Sequence, residues 1–140
     1  MTRGKRLLVF AAAAAAGALA LGAAQRPGPL AQASPGLWEI SGVPGTKAPA
    51  HECLGDLSML AHYEHRRDNC TSRIITDSPS QAVVEYSCGG AGFGRSDLKL
   101  ITPRSLRIDT QGISDNLPFG YVLQARRLGD CPTQASAKTH

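Results

Sequence analysis

Between Cys70 and Cys88 the chain alternates about a single centre. Both arms, Thr71 to Thr76 and Ala82 to Tyr86, are rich in β-branched and aromatic residues, and Ser78-Pro79-Ser80 separates them. Arms of this kind around turn residues predict a β-hairpin. Folding the chain about Pro79 pairs Cys70 with Cys88, Ser72 with Tyr86, Ile74 with Val84 and Thr76 with Ala82 on one face. The other face pairs Thr71 with Ser87, Arg73 with Glu85 and Ile75 with Val83. Apolar residues meet apolar ones and opposite charges meet, and a one-residue slip destroys both patterns.

The same reading extends along the chain. Leu37-Trp38-Glu39-Ile40 predicts a first strand, with Trp38 in the core. Gly42 to Pro49 is a Gly- and Pro-rich loop, and His51-Glu52-Cys53 a short extended piece. Leu57, Leu60 and Ala61 fall at i, i+3 and i+4, which predicts a short helix with Asp56 as its cap. Leu98 and Leu100 alternate with Asp97 and Lys99, Thr102-Pro103-Arg104 turns the chain, and Leu106 and Ile108 alternate with Arg107 and Asp109. That predicts a second hairpin of open register. Gln111 to Leu117 reads as a polar loop. A last strand, Pro118 to about Arg127, places Phe119, Tyr121, Leu123 and Ala125 on one face. The expected fold is α+β: an antiparallel β-sheet of five to six strands with one short helix on its apolar face and two disulfides.

The opening changes the picture of where the chain works. Arg3, Lys5 and Arg6 precede an apolar, alanine-rich run from Leu7 to Leu21, followed by small residues at Gly22, Ala23 and Ala24. This is the pattern of a secretory signal peptide over residues 1–24, cut before Gln25, with a second small-x-small site at Ala31 to Ala33. Residues 25–34, with Pro27, Gly28 and Pro29, are expected to form a flexible leader, 35–131 a single domain, and 132–140 a flexible tail. Cleavage also changes the charge. The 15 Lys and Arg stand against 11 Asp and Glu, and removing three bases leaves a nearly neutral chain at +1. The basic excess thus belongs mostly to the targeting peptide and is no footprint for nucleic acid.

Four cysteines in an exported chain of this size predict two disulfides. Four cysteines allow three connectivities. The hairpin favours Cys70–Cys88, which leaves Cys53–Cys131; the competing pattern bridges Cys53 to Cys70 across the helix. In the chain-entropy model the first closes about 19 residues, worth ~3 kcal/mol, and the second about 79, worth ~4.5 kcal/mol.

Candidate chemistry is sparse. His62 and His65, three apart at the helix end, would need a third ligand such as His51 to hold a transition metal; the alternative is two exposed histidines. His140 lies in the tail. Gly89-Gly90-Ala91-Gly92-Phe93-Gly94 lacks the Gly-Lys-Ser/Thr of a phosphate loop and reads as a turn or bulge. No Gly-x-Ser-x-Gly context marks a nucleophile, and Asp109, Asp115 and Asp130 show no acid/base spacing. Arg104, Arg107, Arg126 and Arg127 form either a basic patch or solvated strand positions. No cofactor, metal or catalytic residue is expected.

Two motifs at the ends of the domain carry a resemblance. Pro35-Gly36-Leu37-Trp38-Glu39-Ile40 is similar to the Pro-Gly-x-Trp-Glu strand of a bacterial secreted family, and Arg126-Arg127-Leu128-Gly129-Asp130-Cys131 resembles its closing motif. Cys53-Leu54 before a helix, then Cys70 and Cys88 around a hairpin, follow the same order. The family is domain of unknown function 3617, and the resemblance spans about Pro35 to Cys131. It implies an exported protein of Gram-negative bacteria, periplasmic or secreted, and carries over no catalytic residue.

The leading functional expectation is a non-enzymatic binding or interaction module for an envelope component, lipid-like or otherwise. The part of the apolar sheet face that the helix leaves open would bind it, lined by Leu98, Leu100, Leu106, Ile108, Phe119 and Tyr121. A partner role, such as inhibition of a cell-wall hydrolase through Gly89 to Gly94, is the alternative, and an enzyme is the third. Neither nucleic acid nor a membrane span after cleavage is expected.

Overall fold

The computed structural model describes residues 25–133. The expected signal peptide and His140 lie outside the described residues. A five-residue helix α1 (Gly28–Gln32) is followed by β1 (Gly36–Ser41) and β2 (Ala50–Leu54). A 3-10 helix (Leu57–His65) then leads to β3 (Thr71–Asp77), β4 (Gln81–Ser87), β5 (Gly92–Thr102), β6 (Ser105–Ser114) and β7 (Leu117–Gly129). The strands form one antiparallel sheet of seven, not five or six, in the order β2-β1-β7-β6-β5-β4-β3. The added strand is β2, read as an isolated extended piece, while the segment read as a loop lengthens β6 to Ser114.

The first hairpin keeps the expected register from Thr71↔Ser87 to Ile74↔Val84 and then slips, to Thr76↔Val83 and Asp77↔Ala82. The turn is the cause. Ser78 and Gln81 bond each other through backbone and hydroxyl at 2.8–3.0 Å, which makes a two-residue turn of Pro79 and Ser80. Its centre lies between residues rather than on Pro79, so Ile75 bulges to absorb the half step. The expected polar loop from Gln111 is strand up to Ser114. Asp115 and Asn116 close it with φ of 49° and 63°, the left-handed pair of a two-residue hairpin. Asp and Asn tolerate that region without glycine.

Both disulfides join the expected partners: Cys53–Cys131 with Cα atoms 5.5 Å apart, and Cys70–Cys88 at 4.1 Å. The first ties β2 to the chain beyond β7; the second ties the mouth of the β3–β4 hairpin.

One sheet face carries the core. Cross-strand rows Ala82–Leu98–Ile108–Leu123 and Val84–Ser96–Thr110–Tyr121 lie on it. Trp38 is fully buried and donates its indole N–H to Ser34 O at 3.2 Å. Leu57, Leu60 and Ala61 of the 3-10 helix are buried on β5 and β6, as their spacing predicts. Asp56 caps the helix by accepting the Ser58 N–H at 2.9 Å. The helix is 3-10 rather than α, with a kink at His62 (φ −135°, ψ 43°). The short run between the capping Asp56 and the polar His65-Arg66-Arg67 suits the tighter coil.

The expected flexible leader is corrected from Pro27 onward. Helix α1 packs on β4 and β5, Leu30 is 0% exposed, and the Gly28 N–H donates to Asp77 Oδ1 at 2.6 Å. The prolines that suggested mobility instead start the helix, since Pro fits its first turn. Leu30→Ala should therefore lower unfolding stability by about 2–5 kcal/mol in urea titrations; a loose leader would give no change.

Candidate functional site

The outward face of the sheet holds the strongest candidate. Because paired residues share a face, the register builds it directly. Thr71, Ser87, Phe93, Ile113 and Pro118 form one row across β3 to β7. Arg73, Glu85, Arg95 and Gln111 form the next. Together they line an open groove of about 850 Å³. Phe93 stands 56% exposed in it. Glu85 bridges the two arginines, accepting from Arg73 at 2.9 Å and from Arg95 at 3.3 Å.

The floor of the groove depends on the far side of the sheet. Gly94 and Gly112 pair directly, flanked by Tyr86 and Phe119. A Cβ on Gly94 would collide with the Tyr86 ring and hydroxyl, and one on Gly112 with the backbone of Phe93 and Gly94. Two side-chain-free positions thus let the strands approach closely and let the rings lie over them. The rings continue inward: His65 packs edge-on to both Tyr86 and Phe119, at 5.6 and 5.8 Å, and His62 lies 5.9 Å from Tyr86.

This places the histidines differently from either sequence reading. His65 is 1% exposed, with Nε2 3.1 Å from Ala91 O and a buried Nδ1 without a hydrogen-bond partner. The Nδ1 of half-buried His62 is likewise unpartnered, and burial pushes its pKa below the ordinary value. His51 is elsewhere, 3.2 Å from Glu39 on the outward face. Among the described residues no three His, Cys, Asp or Glu gather as a metal site. Nearby tyrosines are locked as neutral donors. Tyr121 bonds Glu64 and Tyr63 bonds Glu52, each at 2.7 Å. Burial and the carboxylate raise both phenols, Tyr63 to about 12.

The residues expected to line an apolar site do not come together as one. Leu98, Leu106 and Ile108 are fully buried, and Leu100 and Tyr121 pack partly buried against the same core. Leu30 and the 3-10 helix fill the space that was to stay open. Phe119 alone of the six borders the groove. The covered face keeps an opening of about 800 Å³ beside β3, between α1 and the 3-10 helix, lined by Arg26, Leu30, Asp56, Ala61, Ile74 and Val84 among others.

The four arginines do not form one free patch. Arg126 pairs with Glu39 at 2.9 Å, and Arg127 with Asp130 at 2.7 Å and Pro35 O at 3.0 Å. Glu39, held by His51 and Arg126, sits below the usual carboxylate range. Asp115 is a turn residue. Among the described residues no histidine bonds a serine, so no Ser-His-Asp relay is assembled.

Sequence reading missed one arrangement. Asp97 lies directly opposite Asp109, and Lys99 directly opposite Arg107, all on the outward face. With Val83, Arg95 and Gln111 they line a polar hollow of about 340 Å³ next to the groove. Centring the second hairpin on Pro103 was the signal that would have found these pairs.

No protein-family model matches the chain, and neither a curated protein nor a solved structure matches it. No helix among the described residues is long and apolar enough to cross a membrane.

His62 gives a pH prediction. Its folded pKa lies below the unfolded value near 6.5 because burial disfavours the charged ring. The unfolded chain therefore binds the proton first, and stability present above pH 6.5 falls as pH drops through the folded pKa. Urea midpoints measured from pH 8 to 5 should fall below 6.5, and His62→Gln should flatten that slope.

Proposed function

We infer that this chain is an exported, non-enzymatic binding module that holds an amphipathic envelope component on the outward face of its sheet. The observation that carries the reading is the pairing of an apolar row containing Phe93, Ile113 and Pro118 with a polar row containing Arg73, Glu85, Arg95 and Gln111. Isolated apolar residues on a surface are ordinary, but an aromatic ring standing in a formed groove marks an interaction site. A groove with an apolar side and an arginine side matches a molecule that has a tail and an acidic head. Tail burial provides the affinity at about 25 cal/mol per Å², and the arginines orient the head.

Export supports the same reading. The basic-then-alanine-rich opening, the two disulfides and the resemblance to domain of unknown function 3617 all favour the periplasm of a Gram-negative bacterium. Amphipathic molecules are abundant in that compartment, and a small stable sheet suits their carriage.

Displacement of an environment-sensitive apolar dye tests the proposal. The protein should bind the dye, and a long-chain fatty acid at micromolar concentration should displace it. Phe93→Ser combined with Ile113→Ser should weaken dye binding at least tenfold, while stability moves by no more than about 0.5 kcal/mol per site because both side chains face outward. Dye binding that survives the double change, or no displacement by any fatty acid, would overturn the groove as the site.

A further inference from the structure

We propose that the head end of this groove recognises a phosphate followed by a primary ammonium, so that the ligand is a single-chain amphiphile with a phosphoethanolamine head. The inference rests on the groove being the binding site and adds the chemistry of its head.

The outward face changes character in steps along β5 and β6. Phe93 and Ile113 come first, then Arg95 and Gln111, then Asp97 and Asp109. The order is apolar, cationic, anionic. Alternate residues of a strand lie about 6.6–6.8 Å apart, so Phe93 to Asp97 covers roughly 13 Å. A tail, a phosphate and a terminal ammonium meet those steps in the same order and over a similar span.

The acidic step is unusual in itself. Like charges directly opposite each other across two strands destabilise a sheet. Here Asp97 faces Asp109, and the next pair, Lys99 and Arg107, repeats the offence with the other sign. Among the described residues no ion pair repairs it: Asp97 accepts the Gln81 amide, at 3.0 Å on each oxygen, and Asp109, Lys99 and Arg107 pair with no opposite charge. A broken local rule without structural compensation is what a binding site leaves in a sequence. Two adjacent carboxylates match an ammonium, which has three donors and no acceptor. Lys99 and Arg107 bound the hollow beyond them and repel any longer cationic head.

The phosphate would meet Arg95. Its guanidinium spends one N–H on Glu85 at a long 3.3 Å and keeps further donors for a second anion. Arg95 and Gln111 belong to both the groove and the polar hollow, so tail and head sites are continuous.

The test compares three ligands of equal chain length, each below its micelle concentration: lysophosphatidylethanolamine, lysophosphatidylglycerol and the free fatty acid. Dye displacement should rank the ethanolamine lipid about fivefold or more above the glycerol lipid, the factor one exposed ion pair supplies. Asp97→Asn and Asp109→Asn should each reduce that preference about fivefold without weakening the glycerol lipid. Asp109→Asn should also leave the melting temperature equal or higher, because it relieves a like-charge pair. Equal affinity for the two lipids, or a preference that survives both substitutions, overturns the head assignment and leaves the groove standing. Failure of all three ligands to displace the dye overturns both.

Discussion

An open sheet with one apolar face must cover that face, and among the described residues a five-residue helix and a nine-residue 3-10 helix do so. Everything else follows from that economy. The 3-10 helix buries Leu57 and Leu60 over β5 and β6, and α1 inserts Leu30 over β4 and β5. Where these short pieces end, large rings take over. Tyr86, Phe119 and Tyr121 cluster there with His65, the last residue of the 3-10 helix. Those rings need room, and Gly94 and Gly112 provide it by carrying no side chain on the covered face. The backbone beneath them is the floor of the outward groove. Cover, aromatic cluster and groove are therefore one mechanical unit.

The rest of the outward face is organised by register alone. Glu39 joins Arg126 and His51 on β7, β1 and β2, and Glu85 joins Arg73 and Arg95 on β3 to β5. Exposed pairs of this kind add little stability. They do keep those arginines and carboxylates in defined positions. Between the two sets the pattern is interrupted by Asp97, Asp109, Lys99 and Arg107, which face their own kind. The contrast shows that pairing was available on this surface and was not used at that place.

Strand alternation and the first hairpin could be read from residues because the signals are local. Arg73 opposite Glu85 and Ile74 opposite Val84 need only a turn and a period of two. The disulfides followed from that register. What escaped depended on contacts made far along the chain. Leu30 sits among prolines and glycine and shows no periodicity, and its burial is decided by β4 and β5, more than fifty residues later. Residues 111–114 looked like loop because Gly112 and the polar neighbours hide a strand whose glycine is required by Gly94 across the ladder. The site residues were misplaced for the same reason. Leu98, Leu106 and Ile108 lie on the apolar face as read, but the cover that closes over them was not foreseen, and the groove lies on the opposite face.

The order of strands has a consequence for the history of each molecule. β3 to β7 form a meander in which every strand pairs with its chain neighbour, whereas β1 lies against β7, with Leu37 opposite Gly129. Contacts so distant in sequence form slowly, because the intervening chain must be ordered first. A chain made N-terminus first delivers β1 and β2 long before their dock exists. Trp38 and Ile40 then lack their β7 neighbours until that strand is made, and Cys53 waits for Cys131 just as long. The sheet therefore stays unfinished until its last strand arrives.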